Sequence, residues 1–336
     1  MYLTAVNLFT LNFDAMKKIY TNVTNSPAKF LILKAIVFLL SLYIVDFVTG
    51  KILRHYYFRQ ESGLQYRTTF TVEKNTSDIL VFGASRANHH YHPEIFTEAF
   101  PSLTFYNAGR DGNSIFYHYA VLKMVLRRYT PKIVILDIEN GALVKNTESY
   151  DRISSLLPYY ESHPEIRSIV ELRSKFEKYK LFSKTYPYNS SIFTIAIGNS
   201  EMNKARWKDM NGYLPLTRVM SGSLQYDTNT VNNKNMLDSN KINCYEGFLR
   251  DCEAKGVKVF VYVSPYFMKF NQPDKSVALA KEIALKHHVN FNDYSADTFF
   301  TTRDYLFADI VHLNDSGARI YSSKILPGIK EALFVK

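Results

Sequence analysis

The chain has 336 residues, enough for one large domain or two ordinary ones, and 46% of them are hydrophobic, as in a globular protein. The formal charge of +10 points to anionic surroundings such as lipid headgroups or acidic polysaccharide; Lys and Arg are scattered and no nucleic-acid-binding motif appears, so nucleic acid is not an expected partner. Cys244 and Cys252 lie eight apart in an apparent helix, about 12 Å along its axis, too far for a disulfide, so both are expected reduced and structural.

Residues 1–29 read as a short tail, with Met16-Lys17-Lys18 as an alternative start. Phe30 to Val48 (FLILKAIVFLLSLYIVDFV) is nearly all apolar, close to the ~20 residues that cross a bilayer. Lys34 and Asp46 stand near its two ends, where they can snorkel to the interfaces. Apolar residues on every side argue against a one-sided core helix. The stretch after Asp46 lacks the small residues a signal peptidase needs. A single membrane helix over 30–50 is therefore predicted, anchoring the chain. Charge does not orient it: Lys17, Lys18, Lys29 and Lys34 precede the apolar run, and Lys51, Arg54, Arg59 and Arg67 follow it.

A polar connector (51–76) leads to DILVFGASRANHH, residues 78–90. Ile79 to Phe82 form a short apolar run suited to a strand buried on both faces, and Gly83-Ala84-Ser85-Arg86 breaks it. Ser85 there is either a nucleophile, since ligands bind outside the carboxyl ends of parallel strands, or a helix N-cap. A second strand over 103–107 runs into Gly109-Arg110-Asp111-Gly112. A helix from about Ser114 to Tyr129 follows, with Val121, Leu122, Val125 and Leu126 spaced for one buried face. KIVILDI (132–138) is a third strand. Later come a helix near 240–255, a strand over 257–263, a helix near 274–288, a short strand over 289–294, and a last helix capped by Asn314 or Asp315. Strands alternating with helices predict an α/β domain over 77–336, with a parallel sheet between helical layers. Residues 141–239, far longer than one crossover needs, read as an insertion: a lid or substrate subdomain, or peripheral packing.

Near the C-terminus, Phe307 to Asn314 contain Asp309-x-x-His312 in a turn before the last helix. A serine needs a base to take its proton, and the base needs a carboxylate to fix its tautomer. Ser85, His312 and Asp309 supply those three types. The turn holding Asn107, Gly109, Gly112 and Asn113 can aim a backbone N–H at an oxyanion, or, read alone, is an ordinary tight turn. Arg86 binds an anionic group, or caps or pairs on the surface. His89, His90 and His92 have no accompanying carboxylate or Cys cluster and read as surface histidines, so no metal and no cofactor are expected.

Together these blocks resemble the SGNH (GDSL-type) hydrolase superfamily over about 78–138 and 257–333. Gly83-Ala84-Ser85-Arg86 matches the nucleophile block, with Ala84 in place of the usual acidic residue. Asn107, Gly109 and Gly112 match N-x-G-x-x-G, and Asp309 and His312 match D-x-x-H, with Leu313, Asn314 and Gly317 continuing it. The resemblance implies a three-layer flavodoxin-like fold, with Ser85 as nucleophile, His312 as base and Asp309 as its orienter. The N–H groups of Ser85 and Gly109 would line the oxyanion hole, and Asn113 and Arg86 would meet substrate. The third block, Gly-x-Asn-Asp, is missing; Asp137-Ile138-Glu139-Asn140-Gly141 stands there, and Asn140, displaced, is the candidate donor. The expected activity is an esterase or O-acyltransferase working on acyl groups of envelope carbohydrate outside the membrane. A non-catalytic binding or assembly protein of the same fold is the alternative.

Overall fold

The computed structural model describes residues 26–200, 210–223, 225–226, 236–270 and 273–334, with residues 15–18 and 21 near the N-terminus. Most of the expected tail and parts of the 141–239 insertion lie outside the described residues.

The strands are β1 (Ile79–Phe82), β2 (Phe105–Asn107), β3 (Ile133–Asp137), β4 (Lys258–Val263) and β5 (Asn290–Asp293); β1, β3 and β4 form from apolar runs, whereas β5, NFND, is a polar edge strand. All pair in parallel, in the order β2-β1-β3-β4-β5. This is the flavodoxin-like strand order expected. Alternation along each strand splits the core in two. Leu80, Phe82, Val134, Leu136, Val259 and Val261 meet a layer made by α5 (Ile115–Arg128), α6 (Ser239–Ala254) and α7 (Lys275–Lys286). Ile79, Val81, Ile133, Ile135, Phe260 and Tyr262 meet α3 (Ser85–His90), α4 (Pro93–Ala99) and α8 (Asp315–Phe334) on the other face. Asn314 caps α8, its Oδ1 accepting the Gly317 N–H at 3.0 Å.

Three elements depart from the expected pattern. Helix α5 is not one-sided: eleven of its 14 residues are buried, because other elements cover the face turned away from the sheet. One cover is the expected polar connector, which is itself helical over α2 (Gly63–Glu73) and buries Arg67, Thr68, Thr69, Thr71 and Val72. Its polar groups tolerate burial because they are paired: the Thr68 hydroxyl lies 2.7 Å from the Tyr117 hydroxyl, and the Thr69 hydroxyl 2.7 Å from that of Tyr159. The second cover is the insertion, a chain of short helical turns between Thr147 and Gly198.

The third departure is α1 (Pro27–Arg59), a 33-residue helix, about 50 Å long. Its apolar part has mean hydropathy 2.4 over 18 residues, none of them buried. It is the one helix among the described residues long and apolar enough to cross a membrane. It runs past the apolar stretch into the globular domain without a break. Asp46, expected to reach out to an interface, instead accepts hydrogen bonds from the Ser183 and Thr185 hydroxyls (both 2.6 Å) and the N–H groups of Lys184 (2.6 Å) and Thr185 (3.2 Å). One turn on, a Cβ at Gly50 would stand 2.5 Å from the carbonyl carbon and oxygen of Lys184. Farther along, Arg54 donates to the Pro158 carbonyl (3.2 Å), and Tyr57 packs edge-on against Tyr159. The joint between helix and domain is a packed contact.

Gly50→Val should open that joint, since overpacking of this kind costs about 1–3 kcal/mol. Trypsin cleavage after Lys184 should then rise by roughly tenfold or more, the change that ~1.4 kcal/mol of opening free energy produces. Unchanged cleavage kinetics, read by mass spectrometry of timed digests, would show that the contact does not hold the segment.

Candidate active site

Ser85 is the first residue of α3, and Ala84 is the N-cap. The chain can turn this sharply at the end of β1 because Gly83 has φ +140°, and a Cβ there would stand 2.5 Å from the Asp137 carbonyl oxygen. The Ser85 hydroxyl points to another part of the chain, with Oγ 2.7 Å from His312 Nε2. His312 Nδ1 lies 2.9 Å and 3.0 Å from the two carboxylate oxygens of Asp309. Asp309 Oδ1 also accepts the N–H groups of Val311 (2.9 Å) and His312 (3.0 Å). Burial would raise the Asp309 pKa, but the His312 ring and these N–H groups outweigh it and hold the carboxyl below its ordinary value. An ionised Asp309 accepts a hydrogen bond from Nδ1–H and so keeps the ring proton on Nδ1, which leaves Nε2 as acceptor for the serine O–H.

The turn carrying Asp309 and His312 is closed by the Ala308 N–H donating to the His312 carbonyl (2.8 Å), and by bridge pairing of Phe307 with Leu313. A further hydrogen bond ties it to α3: the Leu313 N–H donates to His90 Nε2 at 2.9 Å. A backbone N–H only donates, so His90 carries its proton on Nδ1 and gives it to Ser264 Oγ at 2.8 Å. His90 is fully buried, and that burial, with the Arg86 charge and the neighbouring histidines, keeps its pKa well below the usual histidine value.

The three histidines expected at the surface are buried. Each has its own partner: His89 Nδ1 lies 2.7 Å from the Leu214 carbonyl, His90 braces the His312 turn, and the His92 ring packs tilted against Tyr213 with Nε2 3.5 Å from Asp315. Arg86 also departs from expectation. Its side chain is 2% exposed and turns beneath the site, donating to the carbonyls of Ser264 (2.9 Å) and Ile138 (2.6 Å) and to Asp137 (3.3 Å), with Tyr266 packed on its face. Its guanidinium is turned into the protein and is not among the residues lining the cleft. Burial pushes the Asp137 carboxyl up, while Arg86 and the hydroxyls of Tyr91 and Ser264 act against it.

The oxyanion expectation meets a similar obstacle at Gly109. Its N–H donates to Asn107 Oδ1 at 2.9 Å, while the Asn107 amide donates to the Ala87 carbonyl at 2.7 Å. Asn107 therefore locks the turn against α3. From below, Arg67 donates to Asn88 Oδ1 (2.8 Å) and to the carbonyls of Gly109 (3.2 Å) and Gly212. From sequence Arg67 counted only as a charge following the apolar run and His90 only as a surface histidine; no local motif marks either one as a brace.

A cleft of about 1160 Å³ opens near the carboxyl ends of β1 and β3; Ala84, Gly112 and Asn113 line it on the side toward Ser85, while Ser85, Asp309 and His312 themselves do not. Asn140 lies on its wall, its N–H donating to the Tyr266 hydroxyl at 3.2 Å. Asn113 is nearly buried, with its amide donating to the Asp111 carbonyl at 3.2 Å. Glu139, Glu148, Lys145, Lys241 and Lys275 give the cleft a mixed charged lining. Among the described residues of the insertion, 141–142, 144–149 and 237 line it, while 210–220 pack along α3 and the His312 turn, through Leu214 at His89 and a Met220 N–H bond to the Phe307 carbonyl (2.7 Å). Compared with known proteins, the chain matches no family model, and no curated relative is found.

Two substitutions separate bracing from substrate contact. Arg86→Met should cost about 3–5 kcal/mol in urea unfolding, because it strands a buried carboxylate; an unchanged midpoint would return Arg86 to the surface role. His90→Leu should cost about 1–3 kcal/mol, because it leaves the Leu313 N–H unpaired, and His90→Gln should recover part of that. The pH dependence adds a sign. A histidine held neutral in the fold is protonated only on unfolding, so wild-type stability falls as pH drops below about 6.5. Gln does not titrate, so the wild-type advantage over His90→Gln should shrink between pH 8 and pH 5. A constant difference would place His90 in contact with solvent.

Proposed function

We propose that this chain is a membrane-anchored serine enzyme of SGNH type that cleaves or transfers acyl esters, with envelope carbohydrate as substrate class and the globular domain on the outer face. The observation that carries the reading is the hydrogen-bonded series Ser85–His312–Asp309 at the carboxyl ends of a parallel sheet. In the proposed route, Ser85 attacks the ester carbonyl while His312 Nε2 takes its proton. Asp309 holds the ring and stabilises the imidazolium. The leaving alcohol departs with that proton, giving an acyl-enzyme. Water resolves it in a hydrolase and a sugar hydroxyl in a transferase. The charged, roomy cleft suits a polar polymer better than a lipid acyl chain. The apolar exposed length of α1 supports the anchor.

The second reading is a binding or assembly protein that keeps the fold. What favours it is the Gly109 N–H, which already has a partner in Asn107, together with the missing Gly-x-Asn-Asp block. Each lost oxyanion donor costs roughly 10²–10³ in turnover. The Ser85 N–H at the start of α3 and Asn140 on the cleft wall are the donors left to the enzyme reading.

Labelling with a fluorophosphonate and turnover of a simple acetyl ester test the choice. Wild type should label, and Ser85→Ala should not, while keeping its circular dichroism. His312→Ala should lose about as much turnover as Ser85→Ala, Asp309→Asn less, and the Ser85→Ala, His312→Ala double variant little more than either alone. Equal rates for wild type and Ser85→Ala would hand the protein to the binding class.

A further inference from the structure

The insertion carries a segment that the proposed chemistry does not use. Residues 175–184 read KFEKYKLFSK. Lys175, Phe176, Lys178, Tyr179, Lys180 and Phe182 are exposed, and the rings are exposed to an extent unusual for large apolar side chains: 54% for Phe176, 65% for Tyr179 and 71% for Phe182. The one acidic residue of the run, Glu177, is turned inward and fully buried, held by Arg173 at 2.9 Å and by the Tyr186 hydroxyl at 2.7 Å. Lys180 reaches the buried Glu177 (3.4 Å) and Lys184 pairs with Glu161 (3.1 Å), so what the run itself presents to solvent is aromatic rings with Lys175 and Lys178. The Lys175 ammonium lies 4.9 Å from the Phe176 ring centre, and the Tyr179 and Phe182 rings are 6.5 Å apart.

The level of this segment along α1 is set by the Asp46 joint. Ser183, Lys184 and Thr185 are the residues bonded to Asp46, which stands at the end of the apolar run. If α1 is an anchor, the joint places KFEKYKLFSK beside the helix where hydrocarbon gives way to headgroups. Aromatic rings with a polar or cationic neighbour are stable at that level, and lysines near the surface are drawn to anionic lipid. Lys51 and Arg54 lie on α1 just beyond the same level, adding cations beside the segment.

We propose that residues 175–184 form a second membrane contact, in which Phe176, Tyr179 and Phe182 enter the interface of an anionic leaflet and the lysines meet its headgroups. The inference rests on the anchored reading of α1. It makes the domain a body held to the bilayer at two points, and so fixed in tilt as well as in height.

Depth-dependent quenching tests it on the full chain in nanodiscs of mixed anionic and zwitterionic lipid. In a Trp207→Phe background, a single tryptophan is placed by Phe182→Trp, by Phe38→Trp within the apolar run, or by Tyr305→Trp near the His312 turn. Lipids brominated along their acyl chains should quench Phe38→Trp strongly. They should quench Phe182→Trp when the bromines lie near the headgroup, with a blue-shifted emission, and leave Tyr305→Trp unchanged. Adding Lys175→Glu and Lys178→Glu should red-shift the Phe182→Trp emission and remove its quenching while Phe38→Trp stays quenched. Quenching at Phe38→Trp without any at Phe182→Trp would overturn the proposal, leave the anchor standing and assign the segment to a protein partner. Loss of quenching at both positions would instead remove the anchor reading.

Discussion

The hydrogen bond from the Leu313 N–H to His90 is the constraint on which the site depends. Ser85 and His312 are 227 residues apart, and their 2.7 Å contact survives only if the two turns carrying them are fixed to each other. His90 does this from the far end of the same short helix that Ser85 begins. Its other nitrogen is bonded to Ser264, just beyond β4, whose carbonyl accepts from Arg86. Arg86 in turn reaches Asp137 at the end of β3. The ends of three neighbouring strands are thus knotted by buried polar groups directly under the serine. A buried network is costly unless its members are paired, so its upkeep here goes with the precision the serine–histidine contact requires.

Much of this was legible in the sequence, for physical reasons that differ by element. The strands β1, β3 and β4 are buried on both faces, so each shows as a continuous apolar run with no competing helical period. Asp309 and His312 were legible because their partnership is local: a spacing of three residues lets the carboxylate fold back onto the ring within one turn. Ser85 was ambiguous by itself. The N-cap reading fails because Ala84 occupies the cap and the hydroxyl turns to a residue that only the folded sheet brings near.

The misread residues share one cause. Arg86, His90, Arg67 and the threonines of α2 are polar, and polar residues are usually placed outside. Each is buried against partners distant in sequence: Arg86 on Ser264, His90 on Leu313, Arg67 on Gly109, Thr69 on Tyr159. Sequence spacing contains no sign of such pairs. The same holds for Gly109, where the residue type fits an oxyanion turn but the direction of its N–H is set by Asn107 two residues earlier. A motif gives the residue types at a site; which hydrogen bonds those residues have left to offer depends on tertiary neighbours.

Continuity between α1 and the domain changes what a single N-terminal helix implies. A helix joined by a flexible linker would leave the globular part free to sample many heights and tilts. Here the residues expected to be that linker are the end of α1, which packs on the domain through Gly50 and Tyr57, and α2, which buries Arg67, Thr68, Thr69, Thr71 and Val72 in it. Arg67 on α2 also supports the Gly109 turn, and Tyr57 on α1 packs on Tyr159 of the insertion, so the helical N-terminal segment and the site belong to one packed body. The distance from the apolar run to Ser85 is then a fixed property of the fold. On the anchored reading, the reach of the cleft is set by the length of α1 beyond Asp46, and substrates must come to that height. On the proposed reading of the site, a polymer lying near the membrane can meet that height along its length, which is where a rigid mounting fits the proposed substrate class.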